Sequence, residues 1–454
     1  MIHCNDTSKK QVMIDRRLFL NQSAGLALGA LGGVPLLTAS AAPRKAHAKT
    51  GLRETSGPQL ASVPSSSAPY PLAITMWEFS WLERRWPGAG YEDWDLALSA
   101  LADRGYDAVR IDAFPHLFYS EPEKEVLLLP HWSVQEWGSP GINRVRVQPN
   151  LNRFLERCKY HGIRVGLSSW FRKDEDDLRM KLNTPVKLGE AWLSVLKSID
   201  EGGLLDTVFY VDLCNEWTGP AWCPFFENDP PSAIWTGWNT EKSKEWMTRS
   251  TDVIREHYPE MPVTFSFTGE VTADTLARGP FGMLDFLEPH IWMSGYNGDE
   301  YYREVGYQYD LFDGTSYRNL ALNGKRIYDE RKSYWQEGLT KQISLAATWS
   351  EKLGTGLVTT ECWGVVDFKD WPLLDWEYVK ELCALGTAEA AGTGRWLAMA
   401  TSNFCGPQFV GMWRDREWHR ELTGLIHQAE IAPDLLNSPL VNRLQATGGC
   451  ALKK

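Results

Sequence analysis

Short apolar runs recur along the chain and alternate with segments whose apolar residues fall at helical spacing. The runs are Pro71–Trp77, Ala108–Phe114, Ile163–Trp170, Thr207–Trp217, Pro262–Phe267, Leu284–Trp292, Gly356–Trp363 and Arg395–Asn403. They are largely continuous rather than alternating, the pattern of strands buried on both faces. Between them, Trp94, Leu98 and Leu101 mark a helix that stops at Gly105. Further helices are predicted over about 150–160, about 185–199, around Trp246, Val253 and Ile254, through most of 297–354, over about 377–391 and over about 416–429. Eight strands, each followed by a helical region, predict an α/β chain closed as a (β/α)8 TIM barrel, with its chemistry at the carboxyl ends of the strands. An open doubly wound sheet would usually carry a glycine-rich turn after its first strand, and Trp77-Glu78-Phe79-Ser80-Trp81 has none.

Two of the runs share one design. Thr207–Trp217 ends in Asn215, Glu216 and Trp217, and Gly356–Trp363 ends in Glu361, Cys362 and Trp363. The other strand ends supply Trp77 and Glu78, Arg110 and Asp112, Ser168 to Trp170, His290 and Trp292, and Ser402 and Asn403. Two carboxylates delivered to one mouth by separate strands, beside aromatic surfaces, suit glycosidic bond cleavage. Carboxyl groups about 5–5.5 Å apart predict nucleophilic attack with net retention, and a wider gap predicts inversion. Since two close carboxylates resist double ionisation, the proton is expected on Glu216 and the charge on Glu361 beside Arg110. Asp212 reads as a buried supporting carboxylate.

This arrangement resembles glycoside hydrolase clan A and, within it, the family 5 cellulase-like enzymes, over roughly Pro71 to Ala429. The resemblance rests on an Asn-Glu pair ending the fourth strand and a lone glutamate ending the seventh. It implies Glu216 as acid/base, Glu361 as nucleophile, Asn215 on the sugar 2-hydroxyl, Arg110 holding Glu361 ionised, and His290 as the sixth-strand histidine. The tyrosine usual two residues later is Trp292 here. Trp77, Trp170, Trp217, Trp292 and Trp363 are candidate sugar platforms, and Asp112 a candidate sugar ligand. A barrel that binds carbohydrate without cleaving it is the alternative. A metal-dependent hydrolase would need clustered ligands such as His-x-His after the first strand, and neither metal nor cofactor is expected.

Composition changes the picture in three places. The 22 tryptophans exceed what a core of 454 residues usually holds, which points to indoles lining a surface. Residues 1–48 carry six basic and two acidic side chains, leaving 41 basic (47 minus 6) against 56 acidic (58 minus 2), a sign unsuited to nucleic acid. Eight scattered cysteines form neither a CxxC pair nor a metal-ligand spacing. The N-terminus has Arg16-Arg17, a weakly apolar Ala24–Ala42 segment and small-residue sites at Ala39-Ser40-Ala41 and Ala46-His47-Ala48. It resembles a twin-arginine signal, implying the export machinery as a partner, a periplasmic or secreted product and no stable membrane insertion after cleavage. The expected organisation is signal 1–48, linker 49–69, barrel 70–430 and C-terminal tail 431–454.

Overall fold

The computed structural model describes residues 69–447, apart from 77–80, 131–134, 137–138, 228–238, 270, 272–280 and 309–312. The expected signal and most of the linker lie outside the described residues, as do Trp77 and Glu78.

The barrel strands are β1 (Leu72–Met76), β2 (Ala108–Asp112), β3 (Arg164–Ser168), β4 (Val208–Asp212), β5 (Val263–Thr264), β6 (Ile291–Trp292), β7 (Leu357–Thr359) and β8 (Trp396–Ala400). Seven of them form one parallel sheet in the order β7-β8-β1-β2-β3-β4-β5, with Leu72 opposite Ala398 at the β1–β8 seam and Asp112 opposite Ser168 between β2 and β3. The sixth strand closes the gap between the sheet's two edges. Single parallel bridges join Leu287 to Leu357 and Pro289 to Phe267, and β6 then pairs with Cys362–Trp363, the continuation of β7. The expected (β/α)8 barrel is therefore the observed one. Every residue of β1, β2, β4 and β8 is buried, as continuous apolar runs between a lumen and a helical shell require.

Helices occupy the predicted intervals and extend slightly beyond them: Asn150–His161, Pro185–Glu201, Glu241–Arg255, Glu377–Gly392 and Arg416–Gln428. Local chemistry sets their ends. The Thr184 hydroxyl accepts the Lys187 N–H, and Pro185 fills the first turn, where an amide hydrogen has no partner to lose. The interval 297–354 resolves into Tyr296–Val305, Gly314–Glu330 and Lys332–Leu353. After β2 the chain adds the helix Pro115–Ser120 and an antiparallel hairpin, Glu125–Leu128 with Asn143–Arg146. None of the helices among the described residues is long and apolar enough to cross a membrane.

Two features of the barrel bear on the site. In the lumen, Gly166 faces Tyr210, whose ring would lie 2.4 Å from any β-carbon added there, so only glycine leaves room for the phenol. At the opposite end, the segment expected as a tail carries the helix Pro439–Ala446. Its Arg443 donates to the carbonyls of Leu205 and Val208 at the entrance to β4, and Val441 and Leu444 line a small apolar cavity with Tyr70, Leu72 and Leu397.

Candidate active site

Arg110, at the third position of β2, is fully buried and organises the polar groups at the strand ends. Its Nη2 donates to Asp212 Oδ2 at 2.6 Å, Asn215 Oδ1 at 2.8 Å and Ser168 Oγ at 3.0 Å. Its Nη1 donates to Thr360 Oγ1 at 3.0 Å and Glu361 Oε1 at 3.2 Å. Its face lies 4.4 Å from the centroid of the Trp170 ring. Burial alone would weaken this cation, but Glu288, Asp212, Tyr210 and Glu361 around it keep the guanidinium firmly protonated. Asp212, the expected supporting carboxylate, also accepts Ser168 Oγ, Ser266 Oγ and the Ser266 N–H, so four elements are tied at one point.

Glu216 and Glu361 meet at this mouth. Glu216, His290 and Glu361 each bring one nitrogen or oxygen to within 4.8 Å of the others. His290 Nδ1 stands 2.9 Å from Glu216 Oε1 and 3.6 Å from Glu361 Oε2. On its other side Glu216 accepts the Trp222 indole N–H at Oε2, 2.9 Å away. The Glu216 backbone is left-handed, with φ 47°, and its N–H donates to Ser266 Oγ. A non-glycine residue held in that region stores strain, which the surrounding hydrogen bonds sustain and which turns this carboxylate out of the strand direction.

The protonation pattern differs from the sequence expectation. Burial raises the Glu216 pKa, yet hydrogen bonds from His290, Trp222 and Thr268 outweigh it and hold the group below the usual carboxylate range. Burial depresses His290, which is therefore neutral and donates from Nδ1. In the resting site the proton thus sits on the imidazole, with Glu216 as its acceptor. Such a trio could in principle bracket a divalent cation. Arg110 holds one oxygen of Glu361 and Trp222 one oxygen of Glu216, and a guanidinium 3.2 Å from Glu361 opposes a second positive charge, so we assign no metal here.

Several expected sugar contacts take other roles. Trp170, Trp217, Trp292 and Trp363 are each exposed by 5% or less. Trp217 donates its indole N–H to Ser243 and packs on Phe226 and Phe265. Trp363 donates to the Ala400 carbonyl and lies against Gly386 of the helix Glu377–Gly392. Trp217 and Trp363 are core side chains, Trp170 covers Arg110, and Trp292 is buried beside Trp363 where β6 pairs with the continuation of β7, so none offers an open face to a sugar ring. Asp112 is also internal: its oxygens accept the backbone N–H groups of Phe114 and Trp170, and burial raises it to about 6. Trp222, Ser266, Thr360 and Glu288 escaped the sequence reading. Glu288 carried a usable signal, since it lies two residues before His290 and shares its strand parity.

Two buried polar atoms at the mouth remain unpaired among the described residues, the donor Asn215 Nδ2 and His290 Nε2, an acceptor while Nδ1 carries the hydrogen. Both can take up hydrogen bonds that a bound molecule would supply.

A family model for sugar-binding, cellulase-like proteins matches residues 74–427. A crystal structure from Parabacteroides distasonis ATCC 8503, provisionally described as a glycoside hydrolase, shares 52% identity, covering 84% of this chain and 100% of that one with a TM-score of 0.80. More distant likenesses include a GH5_18 protein of Streptomyces cattleya in complex with GlcNAc, at 11% identity over 85% and 93% of the two chains with a TM-score of 0.45. The endo-β-1,4-mannanase of Thermotoga petrophila stands at 12% over 80% and 78%, with a TM-score of 0.46. No curated protein matches.

Proposed function

Because the chain belongs to the sugar-binding, cellulase-like family, we propose that it is a retaining glycoside hydrolase acting on a β-linked glycoside, with Glu361 as nucleophile and Glu216 as acid/base. The observation that carries this reading is the meeting of two carboxylates from the ends of β4 and β7, with oxygens within 4.8 Å of each other, one on a guanidinium and the other on a neutral imidazole. Oxygens within 4.8 Å leave the anomeric carbon within reach of both and little room for an interposed water, which favours double displacement over inversion.

The resting protonation fits a substrate-gated acid. Sugar in the gap excludes water and raises the cost of two adjacent anions, and Arg110 fixes the remaining negative charge on Glu361. Glu216 then takes the Nδ1 proton of His290 while His290 Nε2 takes up one proton from solvent as the sugar enters, so the imidazole stays neutral, accepting at Nδ1 and donating from Nε2. Protonated Glu216 delivers its hydrogen to the leaving oxygen as Glu361 attacks the anomeric carbon. The resulting ester is uncharged, so Glu216 ionises readily and deprotonates the incoming water. In this reading Asn215 Nδ2, buried and without a partner among the described residues, donates to a sugar hydroxyl.

The test is a panel of aryl β-glycosides and plant or microbial oligosaccharides, with product stereochemistry followed by NMR. Retention, together with loss of turnover in Glu361→Ala, supports the reading. Inversion refutes the mechanism, and sugar binding without turnover favours the non-catalytic alternative. Export through the twin-arginine machinery to the periplasm or exterior belongs to the same proposal, and failure of an Arg16→Lys/Arg17→Lys variant to be retained inside the cell would overturn it.

A further inference from the structure

Glu288 enters the barrel just before β6 and is fully buried. Its Oε1 accepts the Thr360 hydroxyl at 2.6 Å and stands 3.5 Å from Arg110 Nε. Thr360 immediately precedes Glu361. Its oxygen accepts Arg110 Nη1 at 3.0 Å, and that same nitrogen donates to Glu361 Oε1 at 3.2 Å. With its hydrogen committed to Glu288, the threonine presents only lone pairs to the guanidinium. Without that acceptor the hydroxyl is free to rotate, and its grip on Nη1 loosens.

From this linkage we propose that Glu288 is a positioning residue for the nucleophile, acting through Thr360 and Arg110 to aim Glu361. The proposal rests on the glycosidase reading above. The groups facing Glu288 are Arg110 from β2, Tyr210 and Asp212 from β4, and Thr360 from the end of β7. Asp212 and Glu361 already hold the two terminal nitrogens of Arg110. A third anion on Nε would draw the cation away from Glu361, so the arrangement works best with Glu288 neutral. Burial, opposed by Arg110, raises this carboxyl to about 7. Neutral Glu288 still accepts from Thr360, so orientation is kept while the guanidinium's charge stays directed at the nucleophile.

Steady-state kinetics of Glu288→Gln, Glu288→Leu, Thr360→Val and the double variant Glu288→Leu/Thr360→Val, on any glycoside the wild type hydrolyses, test this across about pH 5–9. Glu288→Leu should lower kcat by about 10- to 100-fold with KM changed less than about threefold, the mark of an interaction serving the chemical step. Glu288→Gln should recover at least about tenfold over Glu288→Leu, and its alkaline fall in kcat should begin at higher pH than in the wild type, because the amide cannot ionise. The losses in Glu288→Leu and Thr360→Val should overlap in the double variant rather than multiply. Wild-type kcat in Glu288→Leu, equal impairment of the Gln and Leu variants, or multiplied losses would overturn the role. Should Glu288→Leu fail to fold, an unmoved alkaline limb in Glu288→Gln overturns it alone. A wild type inert toward every glycoside sinks the assigned reaction and this role with it, whereas an active wild type with unaltered variants sinks this role alone.

Discussion

The same carboxyl makes a stability prediction that needs no substrate. Burial raises Glu288 from 4.5 to about 7, so between those values the folded chain keeps a proton that the unfolded chain releases. The sign follows: this contribution to stability is fully present below about pH 4.5 and is lost as pH rises through about 7. At 1.36 kcal/mol per pH unit, the rise corresponds to about 3 kcal/mol, and full burial leaves no solvent screening to discount. Glu288→Gln removes the titration while keeping the shape. Urea unfolding of both proteins at about pH 5 and about pH 8 should show the variant gaining about 2.5 kcal/mol relative to wild type at the higher pH, part of the full difference being already lost at pH 5. Taking the difference cancels Asp112, which burial raises to about 6 and which titrates with the same sign in both proteins. A gap between the two proteins constant to within about 1 kcal/mol would refute a neutral Glu288.

Other perturbations probe separate parts of the molecule. Trp222→Phe removes one hydrogen bond that holds Glu216 ionised, so the acid should keep its proton to higher pH and the alkaline limb of kcat/KM should move up by about half to one pH unit. No movement would mean that His290 alone sets this carboxyl. Gly386→Ala would place a β-carbon 2.5 Å from the Trp363 ring, and thermal unfolding should show a loss of about 1–3 kcal/mol. Wild-type stability there would show that the indole is free to move. Arg110→Met leaves buried Asp212 and the nucleophile without their cation; it should cost about 3–5 kcal/mol by denaturant titration and abolish turnover. Retained activity would contradict the role given to Arg110.

Strand order and the residues at strand ends were legible because buried parallel strands leave continuous apolar runs, and polar side chains at the carboxyl end of a run collect at the mouth. Arg110, Asn215, Glu216, His290 and Glu361 came together for that reason. Trp217 and Trp363 turn into the core because proximity in sequence is not proximity in direction. Trp217 follows Glu216 directly, but the strand ends at Asp212 and the left-handed backbone at Glu216 turns the chain, so strand parity does not carry over to the indole. Trp363 follows a break in the ladder between Thr359 and Cys362, where the parity count restarts. Trp222 reaches Glu216 from a loop after β4, and no strand pattern predicts a loop's return path. Glu288 was hidden by its own surroundings, an acidic residue inside an apolar run, and its meaning depends on Thr360 and Arg110 from two other strands. Resting protonation was beyond sequence altogether, since it turns on hydrogen bonds from His290, Trp222 and Thr268.

The junction of β1 with β8 also has a bearing on how the molecule is made. Leu72 must wait for Ala398 before its hydrogen-bonding edge is covered, and Arg443 must arrive before the carbonyls entering β4 find their guanidinium. On a ribosome that delivers the N-terminal side first, the early strands present an open, apolar edge for most of synthesis. Closure is thus a late event, and newly made chains should need sheltering by a chaperone until the helix Pro439–Ala446 has emerged.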